Sequence, residues 1–223
     1  MPSRAKNNGA RAVLFDLDGT LADTAPDLAA ALNRLRGEHG LAALALRSVR
    51  PYASSGARGL LQIGFGLEPG DARFEPLRDA FLDRYDARVC VETRLFPGMP
   101  ELLAAIERRG IPWGIVTNKS SRFTPRIVAA LGLEARAACV VCGDSTPHIK
   151  PHPAPLLHAT RQLALDPARC WYVGDDLRDV QAAHAAGMRA VAVEYGYLGT
   201  GSAPRDWNAH AVIAHPMELI AHL

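Results

Sequence analysis

The apolar run Ala12-Val13-Leu14-Phe15 passes without a break into Asp16-Leu17-Asp18-Gly19-Thr20. A short apolar run with β-branched and aromatic members, stopped by a Gly-Thr turn, reads as a buried strand that opens into a charged loop. Packing gives no reason for two carboxylates at the mouth of a core strand. Desolvating one unpaired carboxylate costs roughly several kcal/mol, and a second like charge beside it adds to that. A cation must balance them. A divalent metal with a preference for hard oxygen ligands, such as Mg²⁺, does so most economically.

The chain has 223 residues, enough for one large domain or for one domain carrying a smaller insertion. Three of its 25 cations, Arg4, Lys6 and Arg11, fall in the first eleven residues, leaving 22 against 23 acids in the rest. The body is near neutral and carries no basic stripe of the kind nucleic acid requires, so no nucleic-acid partner is expected. Residues 1–9 are polar and lack the apolar stretch of a secretory signal, and no apolar run is long enough to span a bilayer. The expectation is a cytoplasmic protein with a disordered tail over 1–10 and no membrane partner. Cys139 and Cys142 lie in an apolar run without a second pair or nearby histidines, so they and Cys90 and Cys170 read as free thiols, not a zinc site. The eight histidines are scattered, with no convincing ligand spacing.

Helical periodicity begins at Thr24, the expected cap, with Pro26 in the first turn and Leu28, Ala31, Leu32 and Leu35 on one face; it ends near Gly40. From 41 to about 93 the pattern stays helical, around 56–64 and again at Phe74, Leu77, Phe81, Leu82 and Tyr85. From 95 onward helices and short apolar runs alternate: helices at 101–109, 123–131, 155–163 and 177–186, strands at 111–117, 138–142, 170–173 and 190–193. A short strand at 211–214 and a last helix at 216–222 complete the chain. Single helices between apolar strands predict an α/β fold, a Rossmann-like parallel sheet covered on both faces, with a helical cap domain inserted after the first strand. The expected division is 11–21 and 94–223 for the core and 22–93 for the cap.

Chemistry in an open parallel sheet sits beyond the carboxyl ends of its strands. Those ends carry Asp16 and Asp18, then Thr117-Asn118-Lys119, then Asp144 and Lys150-Pro151, then Gly174-Asp175-Asp176-Leu177-Arg178-Asp179. Each alone reads as an ordinary turn or helix cap. Together they bring carboxylates, a hydroxyl, an amide and a lysine to one sheet edge, the equipment of a phosphate site.

The four segments, in this order, resemble the signatures of the haloacid dehalogenase-like superfamily, and in particular of its phosphatases, over 11–223. The resemblance implies a Mg²⁺-dependent phosphatase in which Asp16 attacks phosphorus and forms an aspartyl-phosphate. Asp18 would protonate the leaving oxygen and then take a proton from the hydrolytic water. Asp16, Asp175 and the backbone carbonyl of Asp18 would bind the metal. Thr117, Asn118 and Lys150 would hold the phosphoryl oxygens, and Asp179 would hold a metal-bound water or Lys150 from behind. Asp176 stands where relatives often carry serine and is given no role. Dehalogenases of the superfamily need neither a metal nor the second acid, so Asp18 and Asp175 speak against that activity. An EF-hand is excluded because Leu21 replaces the required glycine and position 27 is not Glu, and no P-loop motif occurs.

The insertion resembles the cap of the phosphoglycolate phosphatase and phosphoglucomutase branch, and the chain is similar to the N-acetylmuramic acid 6-phosphate phosphatases. They share the Gly-Ala-Arg at 56–58, the Gly-Asp-Asp-Leu-Arg-Asp run, Tyr195-Gly196-Tyr197, Trp207 and His215-Pro216. Within the cap, Ser54-Ser55-Gly56-Ala57-Arg58-Gly59 is the stretch expected over the active site, because glycines flank a cation at an expected helix start, and Arg58 is the residue expected to bind a substrate carboxylate. Tyr195, Tyr197 and Trp207 are expected to pack and to anchor loops. The substrate is thus expected to be a small phosphorylated metabolite, 2-phosphoglycolate or N-acetylmuramic acid 6-phosphate, taken by a monomer or homodimer. A phosphomutase and a non-catalytic Mg²⁺/phosphate-binding protein are the alternatives.

Overall fold

A computed structural model describes residues 12–199 and 201–223; the tail expected over 1–10 lies outside them. The elements in chain order are β1 (Ala12–Phe15), β2 (Ala22–Asp23), α1 (Ala25–Glu38), α2 (Leu46–Val49), α3 (Gly56–Phe65), α4 (Phe74–Asp86), β3 (Arg94–Leu95) and α5 (Met99–Arg108). There follow β4 (Trp113–Val116), α6 (Thr124–Ala130), β5 (Val140–Val141), α7 (Ala154–Leu163), β6 (Cys170–Gly174), α8 (Leu177–Ala185), β7 (Arg189–Val193) and β8 (Ala211–Ile213).

Six strands form one parallel sheet in the order β5-β4-β1-β6-β7-β8. β1 sits inside it, with Val13 opposite Trp113 on one side and Trp171 on the other. All four of its residues are fully buried. Because successive side chains alternate between faces, Val13 and Phe15 join one core with Trp113, Ile115, Leu103 and Ile127, while Ala12 and Leu14 join another with Tyr172, Leu156 and Val180. α5 and α6 cover the first face; α7 and α8 cover the second. The chain leaves β1 for β4 on one side and later reaches β6 on the other, so a crevice opens at the carboxyl end of β1.

Between β2 and β3 lie α1 to α4. Leu28, Leu32, Leu35, Leu60, Phe74, Leu77, Phe81 and Tyr85 are buried together and continue the first core. The end of this segment is tied down by Asp27, buried in α1, whose carboxylate accepts from the backbone N–H of Val91, Glu92 and Thr93 and from the Thr93 hydroxyl at 2.7 to 3.1 Å. Among the described residues no helix is long and apolar enough to cross a membrane. The four cysteines are free thiols; Cys139, Cys142 and Cys170 are buried and Cys90 is half-buried.

Several elements differ from the sequence expectation. The apolar run at 138–142 pairs as a strand only at Val140 and Val141, against Ile115 and Val116. β2 and β3 form an antiparallel two-stranded ribbon in a stretch whose pattern is helical or turn-like. The last turns, Pro216–His222, are 3₁₀ and not α-helical. Thr24 does not cap α1 through its side chain. The Tyr197 hydroxyl oxygen takes that role from across the fold, accepting from the N–H groups of Thr24 at 2.6 Å and Ala25 at 2.8 Å.

Candidate active site

The carboxyl ends of β1, β4 and β6 converge on a cavity of about 220 Å³ lined by Asp16, Asp18, Thr117, Asn118, Lys119, Lys150, Asp176, Arg178 and Asp179, and on the insertion side by Leu28, Ala53, Ser54, Ser55 and Gly56. Its size suits a small metabolite.

Asp16 follows β1 directly. One carboxylate oxygen accepts the Leu17 N–H at 2.7 Å and lies 3.0 Å from Lys150 Nζ. Lys150 is buried and reaches Asp179 Oδ1 at 2.8 Å, the Tyr172 hydroxyl at 2.7 Å and the Val116 carbonyl oxygen at 3.2 Å. Burial opposes its charge, but the Asp16 and Asp179 carboxylates outweigh burial and hold the ammonium above the ordinary lysine range. The lysine therefore stays a cation beside Asp16. Asn118 and Lys150 exchange two hydrogen bonds, Asn118 Nδ2 to the Lys150 carbonyl at 3.0 Å and the Lys150 N–H to Asn118 Oδ1 at 2.9 Å. The Asn118 amide thus locks two loops together and sets the lysine backbone. Thr117 is buried, and its hydroxyl accepts the Lys119 N–H at 3.2 Å.

Asp18 lines the same cavity. Its carboxylate is held by Lys119 Nζ at 3.0 and 3.3 Å and accepts a short hydrogen bond from the Thr24 hydroxyl. Lys119 also sits 4.7 Å from the Tyr85 ring centroid, on α4. Burial again works against the ammonium, and Asp18 and Tyr85 more than offset it.

Asp175 is fully buried beneath the cavity floor. Its carboxylate accepts from the Tyr197 N–H at 2.8 Å, the Thr20 hydroxyl at 3.1 Å and the Ser54 hydroxyl at 3.2 Å. Burial, then the charges of Asp16 and Asp179, push this carboxyl well above the usual carboxylate range. Asp16, Asp175 and Asp179 each offer one oxygen, all within 4.8 Å of one another. Among the described residues Lys150 is the one cation in direct ion pairs with this group, and the remaining excess of negative charge together with the all-oxygen donor set fits a divalent cation. The backbone is shaped around Asp175. Gly19 has φ of 82°, and a side chain there would run into the Asp175 carboxylate. A methyl at Gly196 would collide with Asp175 Cβ and with the Gly19 carbonyl oxygen.

Asp179 bonds Lys150 through one oxygen and accepts the Asp176 N–H at 3.1 Å through the other, inside a capping box that starts α8. Asp176 caps the same helix and pairs with Arg178.

A profile of the haloacid dehalogenase-like hydrolases matches residues 13–193. The chain belongs to that family. This haloacid dehalogenase-like hydrolase is 46% identical over 210 residues to the N-acetylmuramic acid 6-phosphate phosphatase of Pseudomonas aeruginosa, covering 94% of this chain and 93% of the relative. It is 42% identical over 209 residues to a phosphoglycolate phosphatase of Xanthomonas campestris pv. campestris, covering 94% of each. In structure it is similar to a predicted phosphoglycolate phosphatase from Haemophilus somnus, with a TM-score of 0.84, 28% identity, and 97% and 98% of the two chains covered.

The fold brings Asp16, Asp18, Thr117, Asn118, Lys150 and Asp179 to one cavity, with Asp175 beneath it. Arg58 is elsewhere. Its side chain is 70% exposed, lies 3.6 Å from Glu68 and does not line the cavity. In α3 the buried side is Gly59, Leu60, Leu61 and Gly64, and Arg58 falls outside it. Of the stretch 54–59 expected over the site, Ser54, Ser55 and Gly56 line the cavity. The sequence reading gives no role to Lys119, Tyr172 or Arg178; Lys119 and Arg178 stand within the recognised segments, where an unassigned cation is the available signal, and Tyr172 carries none.

Proposed function

We propose that this phosphoric monoester hydrolase removes the phosphoryl group from a small phosphorylated acid, of the kind named by its relatives' N-acetylmuramic acid 6-phosphate and phosphoglycolate activities, through an aspartyl-phosphate on Asp16. The observation that carries the reading is Asp16 at the end of β1, lining a cavity with the buried cation Lys150 3.0 Å away and Asp18 in the same lining.

In this reading the substrate phosphoryl group lies in the cavity against Asp16, with its oxygens towards Lys150 and Thr117. Asp16 attacks phosphorus while Asp18, held by Lys119 and Thr24, gives a proton to the leaving oxygen. Asp18 then takes a proton from the water that opens the acyl phosphate. Asp179 acts by fixing Lys150, and Asn118 by fixing the loop that carries it. Asp16, Asp175 and the Asp18 backbone carbonyl would hold Mg²⁺, whose charge would neutralise the phosphoryl oxygens. The helices of 22–93 serve as a cap that excludes water from the cavity. The enzyme acts in the cytoplasm as a monomer or homodimer.

The test is phosphate release from N-acetylmuramic acid 6-phosphate, 2-phosphoglycolate and p-nitrophenyl phosphate, with Mg²⁺ and with EDTA, for the wild type and Asp16→Asn. Turnover lost on chelation, and a kcat in the variant lower by on the order of 10⁴-fold or more with Tm kept, is expected. Near wild-type turnover by Asp16→Asn removes Asp16 as nucleophile, and an isomerised sugar phosphate without free phosphate assigns a mutase instead.

A further inference from the structure

The Arg178 guanidinium stands where two cavities meet. One is the cavity over Asp16; the other, about 190 Å³, is walled by Leu177, Leu198, Trp207 and Ser202 and shares Ser55, Asp176 and Arg178 with the first. Nε and Nη2 of Arg178 each donate to Asp176 at 2.8 Å, and Nη2 also donates to the Ser54 carbonyl oxygen at 2.8 Å. These three bonds use the Nε proton and both Nη2 protons, and they fix the plane of the group. Nη1 has no partner among the described residues. The remaining cations of the cavity are committed: Lys150 to Asp16 and Asp179, Lys119 to Asp18. Arg58 lies outside, paired with Glu68.

A substrate that carries a carboxylate as well as a phosphate needs a second cationic anchor. A guanidinium whose orientation is already set loses little entropy on binding it, and its remaining N–H pair makes charge-assisted bonds to a carboxylate. We propose that Arg178 is the specificity-determining residue of this hydrolase, binding the substrate carboxylate through Nη1 while the phosphoryl group lies at Asp16. The inference rests on the phosphatase reading above. The second cavity, with Leu177, Leu198 and Trp207 on its wall and Ser202 at hand, takes the apolar and acyl parts of a sugar acid. A two-carbon acid leaves that space unfilled, so the substrate class is a phosphorylated sugar acid. Asp176 tempers the site: it orients Arg178 through hydrogen bonds to both of its carboxylate oxygens and offsets part of its charge.

The experiment compares KM and kcat for N-acetylmuramic acid 6-phosphate, for N-acetylglucosamine 6-phosphate, which is the same sugar phosphate without the lactyl carboxylate, and for p-nitrophenyl phosphate. The enzymes are the wild type, Arg178→Gln and Asp176→Asn. Arg178→Gln raises KM for the carboxylate-bearing substrate by about 30-fold, the loss of a hydrogen bond to a charged group, and raises the other two by less than a tenth of that factor. Asp176→Asn keeps a helix-capping side chain and removes the adjacent negative charge; it lowers severalfold the KM ratio of the carboxylate-bearing to the lactyl-free substrate. An equal loss on all three substrates in Arg178→Gln makes the residue only a tie between α8 and Ser54 and overturns the proposal. Should that variant fail to fold, an unchanged KM ratio in Asp176→Asn overturns it alone. Failure of the wild type to release phosphate from any of the three substrates sinks the phosphatase reading instead, which keeps the two failures apart.

Discussion

Lys119 Nζ lies 3.0 Å from one Asp18 carboxylate oxygen and 3.3 Å from the other, across 101 residues of chain. The pair joins the end of β4 to the loop after β1. Lys119 packs over Tyr85 of α4, so the same ammonium touches the sheet edge and the helical insertion. The Thr24 hydroxyl donates to the same Asp18 oxygen that lies nearer to Lys119.

Lys119→Met tests this arrangement. The methionine keeps the stem's volume and removes the charge, leaving the carboxylate with only the Thr24 hydroxyl. We expect kcat to fall by about 10²-fold, because a general acid that is no longer positioned loses most of its contribution. Steady-state kinetics with p-nitrophenyl phosphate check this, and a kcat within a factor of two of the wild type would show that Lys119 does not position Asp18.

Gly196→Ala acts on Asp175. The added methyl meets Asp175 Cβ and the Gly19 carbonyl oxygen, both on rigid buried backbone, so one of the two must shift. The Tyr197 N–H that bonds Asp175 at 2.8 Å moves with it. Activity titrated against Mg²⁺ should then need about tenfold or more metal for half-maximal rate, as for other residues that support a ligand from behind. An unchanged titration would separate Asp175 from metal binding.

Asp27→Ala leaves the N–H groups of Val91, Glu92 and Thr93 without their acceptor, at a corner buried at Thr93 and open to solvent at Val91 and Glu92. Unsatisfied buried donors cost about 1–3 kcal/mol each where water cannot replace the partner, and some solvent entry at Val91 offsets part of that. The expected loss is about 3 kcal/mol, a fall in Tm of roughly 6–12 °C by differential scanning calorimetry. Asp27→Asn keeps one acceptor oxygen and should lose less. Equal losses in both variants would mean that the charge, not the acceptors, stabilises the corner.

How far the site was legible follows from where each signal lies. β1, β4 and β6 are four or five buried apolar residues ending in polar ones, so strand and site residue could be read together, and Asp16, Lys150 and Asp175 fall where strand ends predict. β2 and β3 are two residues each and meet across about seventy intervening residues; no periodicity exists in a two-residue strand. Tyr197 capping α1 is equally hidden, because a local cap such as Thr24 is visible in sequence and a hydroxyl arriving from 173 residues away is not. Arg58 stands out in the sequence by its glycine neighbours, but helical phase decides the direction of a side chain, and Leu60 and Leu61 packing into the core set that phase. Arg178 sat inside a recognised segment, and only the adjoining second cavity gives it a purpose.

A pH-dependent contribution to stability should come from His210, away from the catalytic cavity. Its Nδ1 accepts the Ala190 N–H at 3.0 Å, and its ring stacks on His184 at 5.1 Å between centroids. Partial burial, then the charges of His184 and Arg189, lower its pKa. The protonated ring cannot accept that bond and is repelled by its neighbours. Since the folded state binds this proton less readily than the unfolded chain, whose histidines titrate near about 6.5, the contribution is fully present above that value and is lost as pH falls through the lower folded value. His210→Asn keeps an acceptor near the Ala190 N–H and cannot titrate. Between pH 7.5 and 5.5 its Tm should fall less than that of the wild type, by on the order of 1–3 °C. Thermal melts of the two proteins across this range check it, and parallel curves would remove His210 as the titrating group.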